Sequence, residues 1–205
     1  MKKHLSILAC LFTAVNLFAG VLKIVDVGPT INCLFNNSCT LTVEDTNTPI
    51  TFTGATGTGY LYTRIYTAAT NAPLAGHTGY VYRIDLTRVN APTTNDYIDT
   101  LVVNFGPITP FTYNGVTSNM VWVATSGGVG SIGPSSATEL GNTITFHFSP
   151  PIYASSGSFS GQTTFFFGVV SAYTPTTTLA RVTGIQAPPP APPLNESPAA
   201  WTPFY

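Results

Sequence analysis

"GYLYTRIYTA", residues 59–68, decides the reading of this chain. It is a strand-length run in which Tyr60, Tyr62, Arg64 and Tyr66 share one parity. In a β-strand, successive side chains point to opposite faces, so these four belong to one side. "GYVYRIDLTRV", residues 79–89, repeats the pattern with Tyr80 and Tyr82 in step with Ile84 and Leu86. The aliphatic followers place the second pair of tyrosines toward a core. The arginine in the first set predicts a half-exposed face. Between the two runs, "ATNAPLAGHT" reads as a loop.

Outward from this pair, the chain continues as short β-rich runs separated by turn residues. "VLKIVDV" (21–27) predicts a first strand ended by Gly28-Pro29. "TLTVED" (40–45) and "PITFTG" (49–54) predict two strands around a turn in "DTNTP". "YIDTLVVNFG" (97–106), "MVWVAT" (120–125), "NTITFHF" (142–148), "TTFFFGVVSAY" (163–173) and "LARVTG" (179–184) follow. "PSSATELG" (134–141), with Ser136 three residues before Glu139, is the one helix candidate. The pattern predicts an all-β, two-sheet antiparallel β-sandwich, jelly-roll or immunoglobulin-like, over residues 20–185. It resembles exported bacterial β-sandwich proteins in general, and that resemblance carries no site with it.

The start, "MKKHLSILACLFTAVNLFAG", has Lys2 and Lys3 before an apolar run, then Ala19-Gly20. That is the layout of a signal peptide over residues 1–19. The run is short for a membrane span, so no span is expected in the mature chain. Cys10 lies inside the apolar run and leaves with it. Export makes Cys33 and Cys39 in "INCLFNNSCT" a disulfide candidate, a stapled turn contributing roughly 2 kcal/mol. Zinc would need about four ligands, and a redox pair would want two intervening residues rather than five. The tail "QAPPPAPPLNESPAAWTPFY" (186–205) predicts a Pro-rich disordered linker outside the fold.

Charged residues are 7 % of the 205, against about 25 % in ordinary globular proteins. The five basic residues after the leader, Lys23, Arg64, Arg83, Arg88 and Arg181, are scattered singly. No basic patch serves a nucleic acid. The surface must be rich in Thr, Ser, Asn, Gly and Tyr, as on extracellular β-proteins, and it resists self-association weakly.

Catalytic signatures do not emerge. "GVGSIG" (128–133) fits G-x-G-x-x-G, yet Pro134 follows and no acidic residue stands where a dinucleotide site needs one. Asp96 and Asp99, with Asn95, lie near a turn and read as turn formers before they read as calcium ligands. Asp85 alternates with Arg83, which suggests a surface pair. Two sequons occur, Asn36-Asn37-Ser38 and Asn195-Glu196-Ser197. No cofactor, metal or catalytic residue is assigned.

Three functions follow, all in a secreted chain: extracellular, cell-surface or periplasmic. The first is non-enzymatic binding or adhesion to a glycan or another surface protein, through Tyr60, Tyr62, Tyr66 and Trp122. The second is a structural or assembly subunit of a surface layer or fibre, motivated by the neutral surface and unprotected β-edges. The third is a hydrolase using His77 or His147 with a nearby Asp.

Overall fold

The computed structural model describes residues 19–28, 31–38, 43–92, 96–126, 129–186 and 192–205. Most of the expected leader, together with Cys39 and Asn95, lies outside them. In chain order the strands begin with β1 (Gly20–Val21) and β2 (Lys23–Asp26). A one-turn helix, α1 (Asn32–Phe35), follows. Next come β3 (Val43–Ile50), β4 (Gly59–Thr67), β5 (Thr78–Asp85) and β6 (Tyr97–Asn104). The middle holds β7 (Phe111–Tyr113), β8 (Val116–Ser118), β9 (Met120–Ala124), β10 (Ser136–Leu140) and β11 (Thr143–Tyr153). The chain closes with β12 (Phe166–Ser171), β13 (Pro175–Leu179), β14 (Arg181–Ile185), β15 (Leu194–Glu196) and β16 (Ala199–Pro203).

The fold is all-β. One six-stranded sheet has the order β1-β10-β11-β6-β14-β15, and the second has the order β2-β9-β12-β5-β4-β3. Within these sheets every pairing is antiparallel except β2 with β9. The inner faces share one apolar cluster. Tyr82 of the second sheet meets Phe146 of the first at 6.0 Å between ring centroids, and Phe146 meets Phe167 at 5.0 Å. These are offset and tilted pairs of the kind that lock large side chains in register.

At one edge the chain crosses between sheets. Residues 21–27 read as a single strand, but they split at the buried Leu22, whose N–H donates to Ala137 O. β1 joins the first sheet and β2 the second. At the opposite edge the pair β13–β16 packs against β3, β4 and β6. The tail is therefore not a linker over residues 192–205: β15 extends the first sheet, and β16 buries Ala200 and Thr202. Prolines remove donors but are tolerated at edges, so a Pro-rich segment can still end a sheet.

Two local readings are also corrected. "DTNTP" does not turn; Asp45 to Pro49 run through the middle of β3, paired residue for residue with β4. Edge position is what admits Pro49. "PSSATELG" is not a helix; Ser136 to Leu140 pair with β11, and Ala137 is fully buried against the core. Ladder bonds on both sides outweigh a weak capping signal in so short a segment.

Tyr80 and Tyr82 are both fully buried, as their parity requires. Their hydroxyls need acceptors there. Tyr80 donates to Tyr173 O at 2.7 Å and Tyr82 to Trp201 O at 2.9 Å. Loss of hydration pushes both phenols well above the usual tyrosine range. The native state then keeps two protons that the unfolded chain releases above pH ~10. Stability is complete below that pH and falls as pH rises, by up to ~1.4 kcal/mol per pH unit for each tyrosine. Denaturant titrations between pH 8 and 12 should show this slope, and Tyr82→Phe should reduce it by about half, leaving the share of Tyr80. A slope unchanged by the substitution would contradict the assignment.

Candidate functional site

The second sheet buries both of its faces, but the outer one only in part. Leu61, Tyr80, Tyr82, Ile84, Val121, Val123 and Phe167 face the inter-sheet core. On the other side Tyr66, Val81, Met120, Trp122 and Val170 form a second apolar cluster. This cluster is capped by α1 and by the 68–77 loop. Phe35 of α1 is fully buried, with ring centroids 5.6 Å from Tyr66 and 5.9 Å from Trp122. Backbone bonds tie the cap down: Ala69 N–H donates to Phe35 O, and Leu74 N–H to Leu34 O. The floor beneath the rings lacks side chains at two points. A Cβ on Gly79 would lie 2.6 Å from the Phe35 ring, and one on Gly168 2.7 Å from Trp122 and 2.2 Å from Tyr80 O.

Beyond the cap the outer face is open, and there the polar and aromatic residues gather. Register places Asn47, Tyr62, Arg83 and Phe166 in one row across β3, β4, β5 and β12. Asp45 and Arg64 are opposite each other two residues along. Arg64 donates to both carboxylate oxygens of Asp45, at 2.6 and 2.8 Å, and lies over the Phe166 ring at 4.4 Å. Arg83 lies between two rings, 4.3 Å from the centroid of Tyr62 and 5.2 Å from that of Phe166. Tyr60 packs beside Tyr62 at 5.9 Å. Cation–π contacts of this kind fix a guanidinium plane as well as holding its charge. The hydrogen bonds that Arg64 donates to Asp45 push the guanidinium pKa still higher, so this cation is permanent.

The concentration of charge is informative. Two of the four arginines and both ion pairs seen among the described residues sit on this strip. A chain with so few charges has placed half of its arginines on one half-exposed face.

A cavity of about 200 Å³ lies where cap and strip meet, with Arg64, Trp122 and Phe166 on its floor and Ile31 and Asn32 on its wall. It is smaller than sites for drug-sized ligands and has room for one ring-sized group. Beside the lining residue Gly28, Asp26 accepts from the Thr125 hydroxyl and from Gly28 N–H. Those two bonds hold its carboxyl below the usual range and fix the chain where it enters the cap.

Of the residues singled out in the sequence, Tyr60 and Tyr62 are half-buried on the open strip. Tyr66 is buried under Phe35, its hydroxyl accepting from Arg64 Nη1 at 3.4 Å. Trp122 is 1 % exposed, because the cap covers its face while Val121 and Val123 face the other core. It therefore reaches the site only as cavity floor. Arg83 does pair with Asp85, at 3.5 Å. Phe166 went unnoticed, since the run Phe165-Phe166-Phe167 hides its parity. Asp45 was obscured by the turn reading.

The other candidates lie elsewhere. His77 is half-buried with Nδ1 3.1 Å from Ala75 O, and His147 is exposed on β11. Neither joins an ion pair with a carboxylate among those described. Among the described residues no group of three His, Cys, Asp or Glu could hold a metal. The described part of "GVGSIG" zips onto the 163–165 segment and leads into β10 rather than a helix. Gly130 is required there by its φ of +113° and by Thr164 O, 2.2 Å from where a Cβ would stand. Cys33 is on α1, and Cys39 lies outside the described residues. No helix among the described residues is long and apolar enough to cross a membrane. Comparison with protein-family models, curated proteins and solved structures finds no match to the chain.

Proposed function

We propose that this chain is an exported, non-enzymatic β-sandwich protein that binds glycans on the open half of its outer sheet face. One observation carries the reading: Tyr60, Tyr62 and Phe166 present half-exposed rings in a strip braced by two guanidiniums, in a chain of which only 7 % is charged. Aromatic faces stack on the C–H faces of sugar rings. The exposed Asn47 and Asp45 beside them supply a donor and acceptors for hydroxyl groups. The ring-sized cavity at the cap adds a place for one residue of the ligand.

Export fits the placement of Gly20, the first residue of β1, at the expected cleavage point. In an oxidising compartment Cys33, on α1, is proposed to pair with Cys39. Intact mass of the natively exported protein, with and without reductant and alkylation, tests both points. Retention of residues 1–19, or free thiols at Cys33 and Cys39, would refute them.

For binding, glycan arrays and cell-wall polysaccharides are the screen. Tyr62→Ala should weaken any ligand found by about tenfold or more, since it removes a stacking ring and the support of Arg83. Binding unaffected by Tyr62→Ala would move the site elsewhere. Clean negatives across both screens would sink the glycan reading.

A further inference from the structure

The two arginines of the strip are not equivalent. Arg64 is neutralised by a two-pronged bond to Asp45. Arg83 has no such partner. Its contact with Asp85 is 3.5 Å, beyond good hydrogen-bond length. Asp85 faces it with one oxygen, Oδ2, while its Oδ1 accepts from the Thr87 N–H at 2.9 Å and the Thr87 hydroxyl at 2.6 Å, so Asp85 gives Arg83 no second prong. Arg83 Nε is buried without an acceptor, and the side chain as a whole is only 12 % exposed. The guanidinium is thus largely desolvated, clamped between Tyr62 and Phe166, and balanced by one long contact to Asp85 that leaves Nε without an acceptor. A cation in that state is costly unless a second partner completes it.

We propose that the ligand of this strip is an acidic glycan, a sugar chain bearing carboxylates, and that Arg83 receives the carboxylate. This rests on the glycan reading and narrows its ligand class. The guanidinium is planar and presents paired donors that match a carboxylate, and the flanking rings hold that plane before the ligand arrives. Tyr60 and Tyr62 then stack on the sugar body while Asn47 meets its hydroxyls. Arg64, already saturated by Asp45, serves as a brace for Phe166 rather than as a second anion site. The strip as a whole is neutral, Arg64 and Arg83 against Asp45 and Asp85, which favours one or a few carboxylates in a ligand over a densely charged polyanion.

The test is calorimetric titration with acidic oligosaccharides of galacturonate, glucuronate and sialic acid, each beside its methyl-esterified counterpart, and with an oligoglutamate peptide. Wild type, Arg83→Gln and Arg83→Lys are compared, with thermal melts to show that each variant is folded. One acid should bind about tenfold more tightly than its ester. Arg83→Gln should bring that ratio close to one by weakening the acid more than its ester. Arg83→Lys keeps the charge without the fork and should retain part of the preference. Acid and ester bound equally, with Tyr62→Ala still weakening both, would overturn the acidic assignment and leave the glycan reading standing. No binding of any sugar would overturn both. Preference for oligoglutamate would overturn the glycan class in favour of an acidic peptide.

Discussion

Deleting residues 192–205 should lower the melting temperature by about 10–20 °C, or prevent folding altogether. The segment looks dispensable by composition, yet it fills one edge of the molecule. Leu194, Ala200 and Thr202 are buried, and Trp201 O is the acceptor for the fully buried Tyr82 hydroxyl. Thr48 donates to Ala199 O, and Trp201 N–H donates to the buried Thr63 hydroxyl. Losing Leu194 forfeits roughly 1.5–3 kcal/mol of burial. Stranding the Tyr82 hydroxyl adds ~1–3 kcal/mol. Together with the lost ladder this approaches 5 kcal/mol, a large share of the ~5–15 kcal/mol that holds a domain folded. A double-mutant cycle isolates the mechanism. Tyr82→Phe should destabilise the full-length protein but stabilise the truncated one, where the hydroxyl has nothing to bond. Equal effects in the two backgrounds would show that the tail does not serve Tyr82.

Gly168→Ala should cost roughly 3 kcal/mol, far more than the single methyl group suggests. Its Cβ would stand 2.2 Å from Tyr80 O, a backbone atom in the middle of the neighbouring strand. Relief requires β12 and β5 to part, and both carry core residues on their other side. Trp122, 2.7 Å from the same point, cannot retreat because Phe35 and Phe111 pack on it at 5.9 Å each. Gly79→Ala is the instructive contrast. Its Cβ meets the Phe35 ring, a side chain on a one-turn helix that can shift. The expected cost is about 1 kcal/mol, with loss of order in the cap rather than in the sheet. Urea unfolding of the two variants in a Trp201→Phe background, where tryptophan fluorescence reports on Trp122, distinguishes them. Equal costs would mean that the sheet, and not the cap, yields at both glycines.

What could be read from the chain alone was local. Strand content follows from period-two alternation, and the parity of Tyr80 and Tyr82 placed them in the core because Ile84 and Leu86 continue the same side. The same parity put Tyr60 and Tyr62 beside Arg64 on a half-exposed face. What escaped the sequence was set by distant partners. Ser136 to Leu140 are strand because β1 and β11 flank them; Asp45 to Pro49 are strand because β4 lies alongside. The tail is ordered because buried hydroxyls more than a hundred residues earlier, on Thr63 and Tyr82, have their partners there. Trp122 is buried because a helix and a loop from elsewhere in the chain cover its side of the sheet. Arg83 and Phe166 are neighbours only by register between β5 and β12. Alternation fixes which face a side chain takes, since that depends on the strand itself. Which strand lies next to it, and what covers the face, are settled by long-range pairing and burial that no short window of residues contains.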